Sequence, residues 1–433
     1  MFEKYDAYKD SGVEWLGQLP ESWNLLPNKH IFKLKKNLVG KRSKEYELLS
    51  LTLNGVIKRD MENPEGKFPA EFDTYQEVKS GDFIFCHFDV EETPRTVGLS
   101  KFDGMITGAY TVYQVNAEKF CPEFLYYFYL NLDTGKRLKP LYKGLRNTIG
   151  KDIFGEFKTF IPKYSEQVKI SNFLDQKTSE IDQAIAIKEQ QIALLNELRQ
   201  IVIQKAMTQG LDPNVLMKDS GVEWIGAIPE HWQIKKIKHV AGDFMYGTSV
   251  ECNTLSSGTA VLRIPNIDEL YVNFDDLKFT QLSKSETENY SLKQNDILVI
   301  RTNGNPELVG KSALIRNLDR EFLFASYLIR VKPKKLINPE FLICIMNSSL
   351  VRKALTNGAR TSVGNYNLNT QTLGNCFLTL PPLEEQLQIL NFIKSESQKF
   401  DDLININASQ IKKLKEYKTT LINDAVTGKI KVA

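Results

Sequence analysis

Residues 9–23, KDSGVEWLGQLPESW, return at 218–232 as KDSGVEWIGAIPEHW, an offset of 209 with eleven of fifteen positions identical. Leu16/Ile225 and Leu19/Ile228 exchange one apolar side chain for another, and His30 and His239 fall on the same offset. A second pair closes each copy. Residues 161–208 begin IPKYSEQVKISNFLDQKTSEID and residues 380–427 begin LPPLEEQLQILNFIKSESQKFD, at an offset of 219 that runs ungapped to the end. Pro162/Pro381, Glu166/Glu385, Gln167/Gln386, Asn172/Asn391, Phe173/Phe392, Asp182/Asp401, Gln191/Gln410, Ala206/Ala425 and Thr208/Thr427 correspond. Self-similarity at a fixed period constrains the fold before any local propensity does. Between these ends the copies diverge, with echoes such as PEFLYYF (122–128) against PEFLICI (339–345) and TIG (148–150) against SVG (362–364). Alike ends and unlike middles imply one shared frame carrying two differently tuned surfaces.

The closing segments read as helices. No proline occurs from Glu166 to Thr208, and the first glycine is Gly210. Ile181, Ile185, Ile192, Leu195, Leu198 and Val202 recur at steps of three, four and seven, as do Phe400, Ile404, Ile411, Leu414, Tyr417 and Leu421. That is a narrow apolar stripe at helical spacing. A helix of about 34 residues is about 51 Å long. At that length a single seam calls for a partner helix. The expectation is that the two segments pair antiparallel, in preference to two independent amphipathic helices. Gly210 and Gly428 are stop signals. Lys188 and Asn407 interrupt the stripe at equivalent places and are read as facing water rather than fixing register.

The middles, 24–158 and 233–378, hold short β-branched or aromatic runs such as DFIFCHF (82–88), AYTVYQV (109–115), DILVIR (296–301) and SYLIRV (326–331). The fold class expected is α+β: two β-rich domains separated by two long helices paired as an antiparallel coiled coil, an internal repeat with approximate twofold symmetry. The boundaries drawn are 1–160, 161–210, 211–379 and 380–433. Four loops carry polar side chains beside glycines. The loop 86–101 offers Arg95 and Thr96, and 141–152 offers Lys143, Arg146, Asn147 and Lys151. In the second copy 301–312 offers Arg301, Asn303, Asn305 and Lys311, and 357–370 offers Arg360, Thr361, Asn365, Tyr366 and Asn367. Arginine and lysine bridge guanine O6 and N7, asparagine pairs with adenine N6 and N7, and glycine lets backbone amides approach phosphates. Lys29, Lys33, Lys35, Lys36, Lys41, Arg42 and Lys44, with Lys235, Lys236 and Lys238, are candidate phosphate contacts. An ordinary solvated surface role competes for each of these residues singly.

Composition matters chiefly for what it excludes. A chain of 433 residues with 56 Lys+Arg against 53 Asp+Glu has a net charge of +3, so any polyanion site rests on local clustering. The five cysteines are far apart without a C-x-x-C pair, which fits a reducing cytoplasm. No apolar run is long enough for a signal or membrane segment. GNPELVGKS (304–312) imitates a P-loop, but five residues rather than four separate Gly304 from Gly310. The four histidines show no metal-ligand spacing, and the Asp89, Glu91, Glu92 cluster lacks a nuclease pattern. No G-x-G-x-x-G or Asn-Pro-Pro-aromatic motif is present. No catalytic residue, metal or bound cofactor is expected.

DSGVEWLGQLPESW and DSGVEWIGAIPEHW resemble the start of each half of type I restriction–modification specificity subunits. Pro-x-x-x-Glu-Gln leading into a long helix, at Pro162–Gln167 and Pro381–Gln386, resembles the same family. The resemblance spans the chain in the family's order of variable and helical regions. It implies a non-catalytic subunit whose two target-recognition domains read the halves of a bipartite DNA site, and whose helices dock two methyltransferase subunits. Those partners would bring S-adenosylmethionine and methylate adenine. Restriction subunits, where present, would add ATP- and Mg-dependent cleavage. A protein-interaction scaffold with two variable binding domains is the alternative, separated from the first reading by the salt dependence of DNA affinity.

Overall fold

The computed structural model describes residues 2–12, 17–60, 72–142, 147–255, 257–362 and 364–432. It divides into two units, Met1–Glu189 with Ala408–Ala433, and Gln190–Asn407. The division falls within both long helical segments, at Glu189/Gln190 and Asn407/Ala408. A helix with one apolar stripe must bury it against something, and each long helix here contributes to both units.

In the first unit, β1 (Asn24–Pro27) and β2 (Phe32–Lys35) are followed by β3 (Phe83–Phe85), β4 (Val97–Leu99) and β5 (Thr111–Val115). After them come α1 (Pro122–Thr134), α2 (Lys151–Glu156), β6 (Lys158–Ile161) and the long α3 (Tyr164–Gln209). The second unit repeats the plan. Its elements are β7 (Gln233–Lys236), β8 (Ala241–Tyr246), β9 (Ile297–Ile300), β10 (Thr302–Asn303), β11 (Ser312–Leu314) and β12 (Leu328–Pro333). They continue through α4 (Pro339–Met346), β13 (Arg360–Ser362), β14 (Asn365–Asn367), α5 (Thr370–Asn375), β15 (Phe377–Leu380) and the long α6 (Leu383–Val426). The central sheets match strand for strand, β2-β5-β3-β4 and β8-β12-β9-β11, all antiparallel.

Each central strand is buried on both faces, which is why its sequence runs apolar without alternation. Phe83 and Phe85 enter a core with Trp23, Phe124, Phe128 and Phe160, while Ile84 enters a second cluster with Leu49, Val56 and Val112. Ile297 and Val299 join Trp232, Phe341 and Leu378, while Leu298 and Ile300 join Leu262, Phe322 and Phe324. Burying one such side chain is worth about 1.5–3 kcal/mol.

The two repeated motifs of each copy are halves of one junction. β1 pairs with β6, Asn24 against Ile161, and β7 pairs with β15, Gln233 against Leu380. The Trp23 indole Nε1–H donates to Glu166 Oε1 (3.1 Å), and Trp232 Nε1–H to Glu385 Oε2 (2.9 Å). The glutamine beside each glutamate accepts from the backbone N–H of the residue that caps an earlier helix of its unit, α1 or α4: Cys121 N to Gln167 Oε1 and Asn338 N to Gln386 Oε1, both 2.8 Å. Its amide donates to the carbonyl of Pro162 (2.9 Å) or Pro381 (2.8 Å). Within each unit the far end of a long helix closes the same junction. Tyr8 Oη donates to Gly428 O (3.1 Å) in one, and Thr379 Oγ1 to Met207 O (2.6 Å) in the other.

α3 has 46 residues and α6 has 44, longer than the periodicity alone suggested. In the first unit Ile181 and Ile185 are buried with Leu421 and Ile422, against half-buried Ile411 and Leu414. Lys418 Nζ meets Asp182 there at 2.7 Å. In the second unit Ile192, Leu195, Val202, Phe400 and Ile404 are half-buried, and Arg199 Nη1 meets Asp401 at 2.8 Å. The pairing is antiparallel, since the start of one helix packs with the end of the other in the first unit.

Two details differ from the sequence reading. Leu198 and Tyr417 are about half exposed, 50% and 48%. The covered line instead alternates steps of four and three through 181, 185, 188, 192, 195, 199 and 202, and through 400, 404, 407, 411, 414, 418 and 421. Arg199 and Lys418 thus sit where leucine and tyrosine were placed, and reach their aspartates from the flank. Asn407 is buried, with its amide on Leu403 O (2.9 Å), and Lys188 is half-buried, so these positions belong to the covered line rather than to water.

Candidate functional site

The structure joins the two loops singled out in each copy. In the second unit β10 pairs with β14, and β14 with β13, so segments 301–305 and 360–367 share one three-stranded sheet. Arg301 stands at the exit of β9. Its guanidinium lies over the Tyr246 ring (4.3 Å to the centroid), and Nη1 reaches Ser326 O at 3.5 Å. Tyr246 Oη accepts from Thr370 N (3.2 Å), tying the stacking ring to the start of α5. Asn303 Oδ1 accepts from Asn305 N (2.8 Å) and Asn305 Oδ1 from Glu307 N (3.0 Å), which holds the turn after β10. Arg360, Thr361 and Asn365 are exposed, Tyr366 and Lys311 half-buried. Gly364 (φ +77°) takes the left-handed conformation that the turn between β13 and β14 requires.

The first unit has the same junction in simpler form. Leu368 N donates to Arg301 O at 2.7 Å, and Ile149 N donates to His87 O at 2.7 Å. Phe88 bridges Thr148, and Asp89 N donates to Asn147 O (3.1 Å). Asn147 and Lys151 are exposed beside this junction, and Asn147 tolerates its positive φ of 46°. Thr148–Gly150 is therefore matched by Asn367–Asn369, and the apparent echo at Ser362–Gly364 is a coincidence of letters. Lys143 and Arg146 lie outside the described residues.

Arg95 and Thr96 are placed elsewhere. Thr96 is buried, its Oγ1 donating to Asp133 Oδ1 (2.8 Å) and its N–H to Oδ2 (3.1 Å). Arg95 Nη1 meets Asp133 Oδ2 at 3.2 Å, and Nη2 donates to Leu53 O at 3.2 Å. Lys136 Nζ adds a second cation at 2.9 Å. A carboxylate this deeply buried demands such partners, so Arg95 and Thr96 hold α1 to the sheet edge. Of the candidate phosphate lysines, Lys35 is likewise committed, buried against Asp82 at 2.7 Å, and Lys29 pairs with Glu156 at 2.8 Å.

Structural equivalence identifies residues that the loop-by-loop reading missed. KSGDFIFCH (79–87) and KQNDILVIR (293–301) form the same turn and strand, with Lys79 N donating to Asp82 Oδ2 (2.7 Å) and Lys293 N to Asp296 Oδ2 (2.9 Å). His87 is thereby the counterpart of Arg301. It packs among Phe85, Tyr113 and Phe154 and is 6% exposed. Burial, then the nearby Lys151 charge, pushes its pKa down to about 4. It lines a concavity of about 550 Å3 with Phe88, Tyr110, Lys36 and Lys151. The signal was the strand alignment at an offset of 214, which a search for loop arginines passes over. Among the described residues no cluster of histidine, cysteine or carboxylate could hold a metal ion, and no helix is long and apolar enough to cross a membrane.

The geometry is that of a duplicated sheet-and-helix unit with a loop pair at the exit of its central strand. Residues 229–416 match the family Type I restriction modification DNA specificity domain. Similar relatives are the EcoKI specificity subunit of Escherichia coli K12 (27% identity, 54% of this chain and 49% of that one) and the MjaVIII specificity subunit of Methanocaldococcus jannaschii (27%, 66% and 64%). The StySPI specificity subunit of Salmonella potsdam is similar over more of its length (23%, 87% and 82%). The chain thus spans about half to two thirds of the first two relatives. Among solved structures, one from a study of complex assembly and conformational transition of the type I R-M system aligns with a TM-score of 0.67 over 95% of this chain and 99% of that one, at 15% identity. The HsdS subunit from Thermoanaerobacter tengcongensis aligns at 0.57 over 97% and 100%, also at 15% identity, which shows a shared fold. Residues 229–416 thus carry the match to the type I restriction–modification DNA specificity domain, and the chain is similar to specificity subunits at 23–27% identity.

Proposed function

We propose that this chain is the sequence-reading subunit of a type I restriction–modification complex, each unit reading one half of a two-part DNA target. The observation that carries the proposal is the repeated junction: one frame, held by Trp–Glu and Gln–backbone hydrogen bonds, presents two differently furnished loop pairs. Arg301, Asn303, Arg360, Thr361, Asn365 and Tyr366 supply donors, acceptors and an aromatic face for the second half-word, and Asn147 and Lys151 serve the first. Exposed Lys36, Lys33 and Lys41 contribute phosphate contacts, which position the protein without specifying sequence.

The helices are proposed to dock methyltransferase subunits. Leu194, Leu198 and Ile201 repeat at steps of four and three on α3 and are 57%, 50% and 41% exposed, an apolar face suited to a protein partner. Adenine methylation with S-adenosylmethionine, and any ATP- and Mg-dependent cleavage, belong in this proposal to the partner subunits, acting together in the cytoplasm.

The test is binding of the purified chain, alone and with its methyltransferase partner, to duplexes with and without the motif methylated in the host. The proposal expects preference for the motif duplex and an affinity that falls steeply as salt rises. Salt-insensitive binding without sequence preference would favour a protein scaffold.

A further inference from the structure

We propose that, in the first module, one nucleotide of the target leaves the base stack and enters the concavity floored by His87. The inference rests on the DNA-reading function proposed above and adds how the first half-word is read.

His87 Nδ1 and Nε2 are both buried without a hydrogen-bond partner among the described residues. Buried polar atoms of native proteins nearly always have one, so a pair left open at the edge of a cavity points to a ligand. The ring lines the concavity of about 550 Å3 together with Phe88 and Tyr110, whose rings are nearly parallel (18°, centroids 6.1 Å apart). Lys36 and Lys151 are exposed on the same lining. Aromatic faces, a recessed polar edge and cations at the rim are what a nucleotide requires: stacking for the base, hydrogen bonds for its edge, charge for its phosphates.

The ring's character narrows the choice. Burial keeps the imidazole neutral, so one nitrogen donates and the other accepts. Base edges carry both kinds of group, whereas a phosphate oxygen only accepts.

The second module supplies the contrast. Arg301, at the equivalent position, is stacked on Tyr246 and half exposed, with the reach to meet bases in the groove. His87 is shorter and recessed. The edges of stacked bases form the floor of a groove and do not project, so a group that reaches His87 must itself protrude from the duplex.

The experiment places a base analogue that brightens on unstacking, 2-aminopurine for purines and pyrrolocytosine for pyrimidines, at each position of the first half-word in turn. The full chain is then added to each motif-bearing duplex. One position should brighten several-fold with wild-type protein. The rise should be lost in His87→Ala and Tyr110→Leu, with relaxed preference at that position. No brightening anywhere, while the wild-type chain still binds the motif selectively, would overturn the inference and leave the DNA-reading function standing. Absence of selective binding by the wild-type chain would overturn both. The wild-type measurement decides the matter even where a variant folds poorly.

Discussion

Glu166→Leu isolates the bond that ties the two repeated motifs together. Glu166 Oε1 accepts from Trp23 Nε1–H at 3.1 Å and from the Tyr5 hydroxyl at 2.6 Å. Trp23 is fully buried, so without the carboxylate its N–H cannot turn to water, a loss of about 1–3 kcal/mol. Tyr5 is half-buried and recovers part of its bond from solvent, which adds roughly 1 kcal/mol. A total near 3 kcal/mol corresponds to about a 150-fold change in a local opening equilibrium. A chain of this size need not unfold in one step, so the readout is amide hydrogen exchange of peptides spanning β1, β6 and the first turns of α3. Those peptides should lose about two decades of protection in Glu166→Leu. Glu166→Gln keeps an acceptor oxygen and should lose about one decade at most. Glu385→Leu should do the same to β7 and β15, because Glu385 accepts from Trp232 and pairs with His231 at 2.8 Å. Protection within a few-fold of wild type in both leucine variants would refute the claim that these glutamates join the motifs.

Thr96→Val should destabilise the first unit by about 1–3 kcal/mol, since a buried hydroxyl–carboxylate bond is lost, yet leave the methylated motif unchanged; a changed first half-word would return Thr96 to the reading surface. Acid should loosen the region around His87. Its folded pKa, about 4, lies below the ordinary 6.5, so the unfolded chain binds the proton more readily; the stability present above pH 6.5 is lost as pH falls toward 4, by about 3 kcal/mol in all. Hydrogen exchange between pH 7 and 4.5, corrected for intrinsic rates, should show this loss in wild type and a flatter profile in His87→Phe. Arg301→Ala should weaken or relax reading of the second half-word alone, by about 1–3 kcal/mol if the contact is to a base. A footprint and affinity equal to wild type would remove Arg301 from the site.

What was legible in the sequence was whatever the duplication repeats. Two aligned copies of Pro-x-x-x-Glu-Gln and of the tryptophan-ending motif marked a frame, though not that the tryptophan of one motif donates to the glutamate of the other, because that contact spans 143 residues in the first copy. The apolar stripe announced paired helices but misplaced Leu198 and Tyr417, since alternation of four and three puts Arg199 and Lys418 on the covered line and their charges hid them. In the loops, Arg301 and Arg360 were legible as long donors near glycine. Arg95 has the same letters but is tied to Asp133, which arrives from α1, far along the chain. His87 was passed over for the converse reason: its meaning comes from standing where Arg301 stands, at the exit of a strand whose sequence has otherwise diverged.

The central claim, that each unit reads its own half of the target, is tested most directly by exchanging residues 24–158 for the corresponding region of another specificity subunit. The readout is the methylated motif across host DNA at base resolution. The account predicts a new first half-word and an unchanged second one. A motif altered in both halves, or in neither, would contradict it.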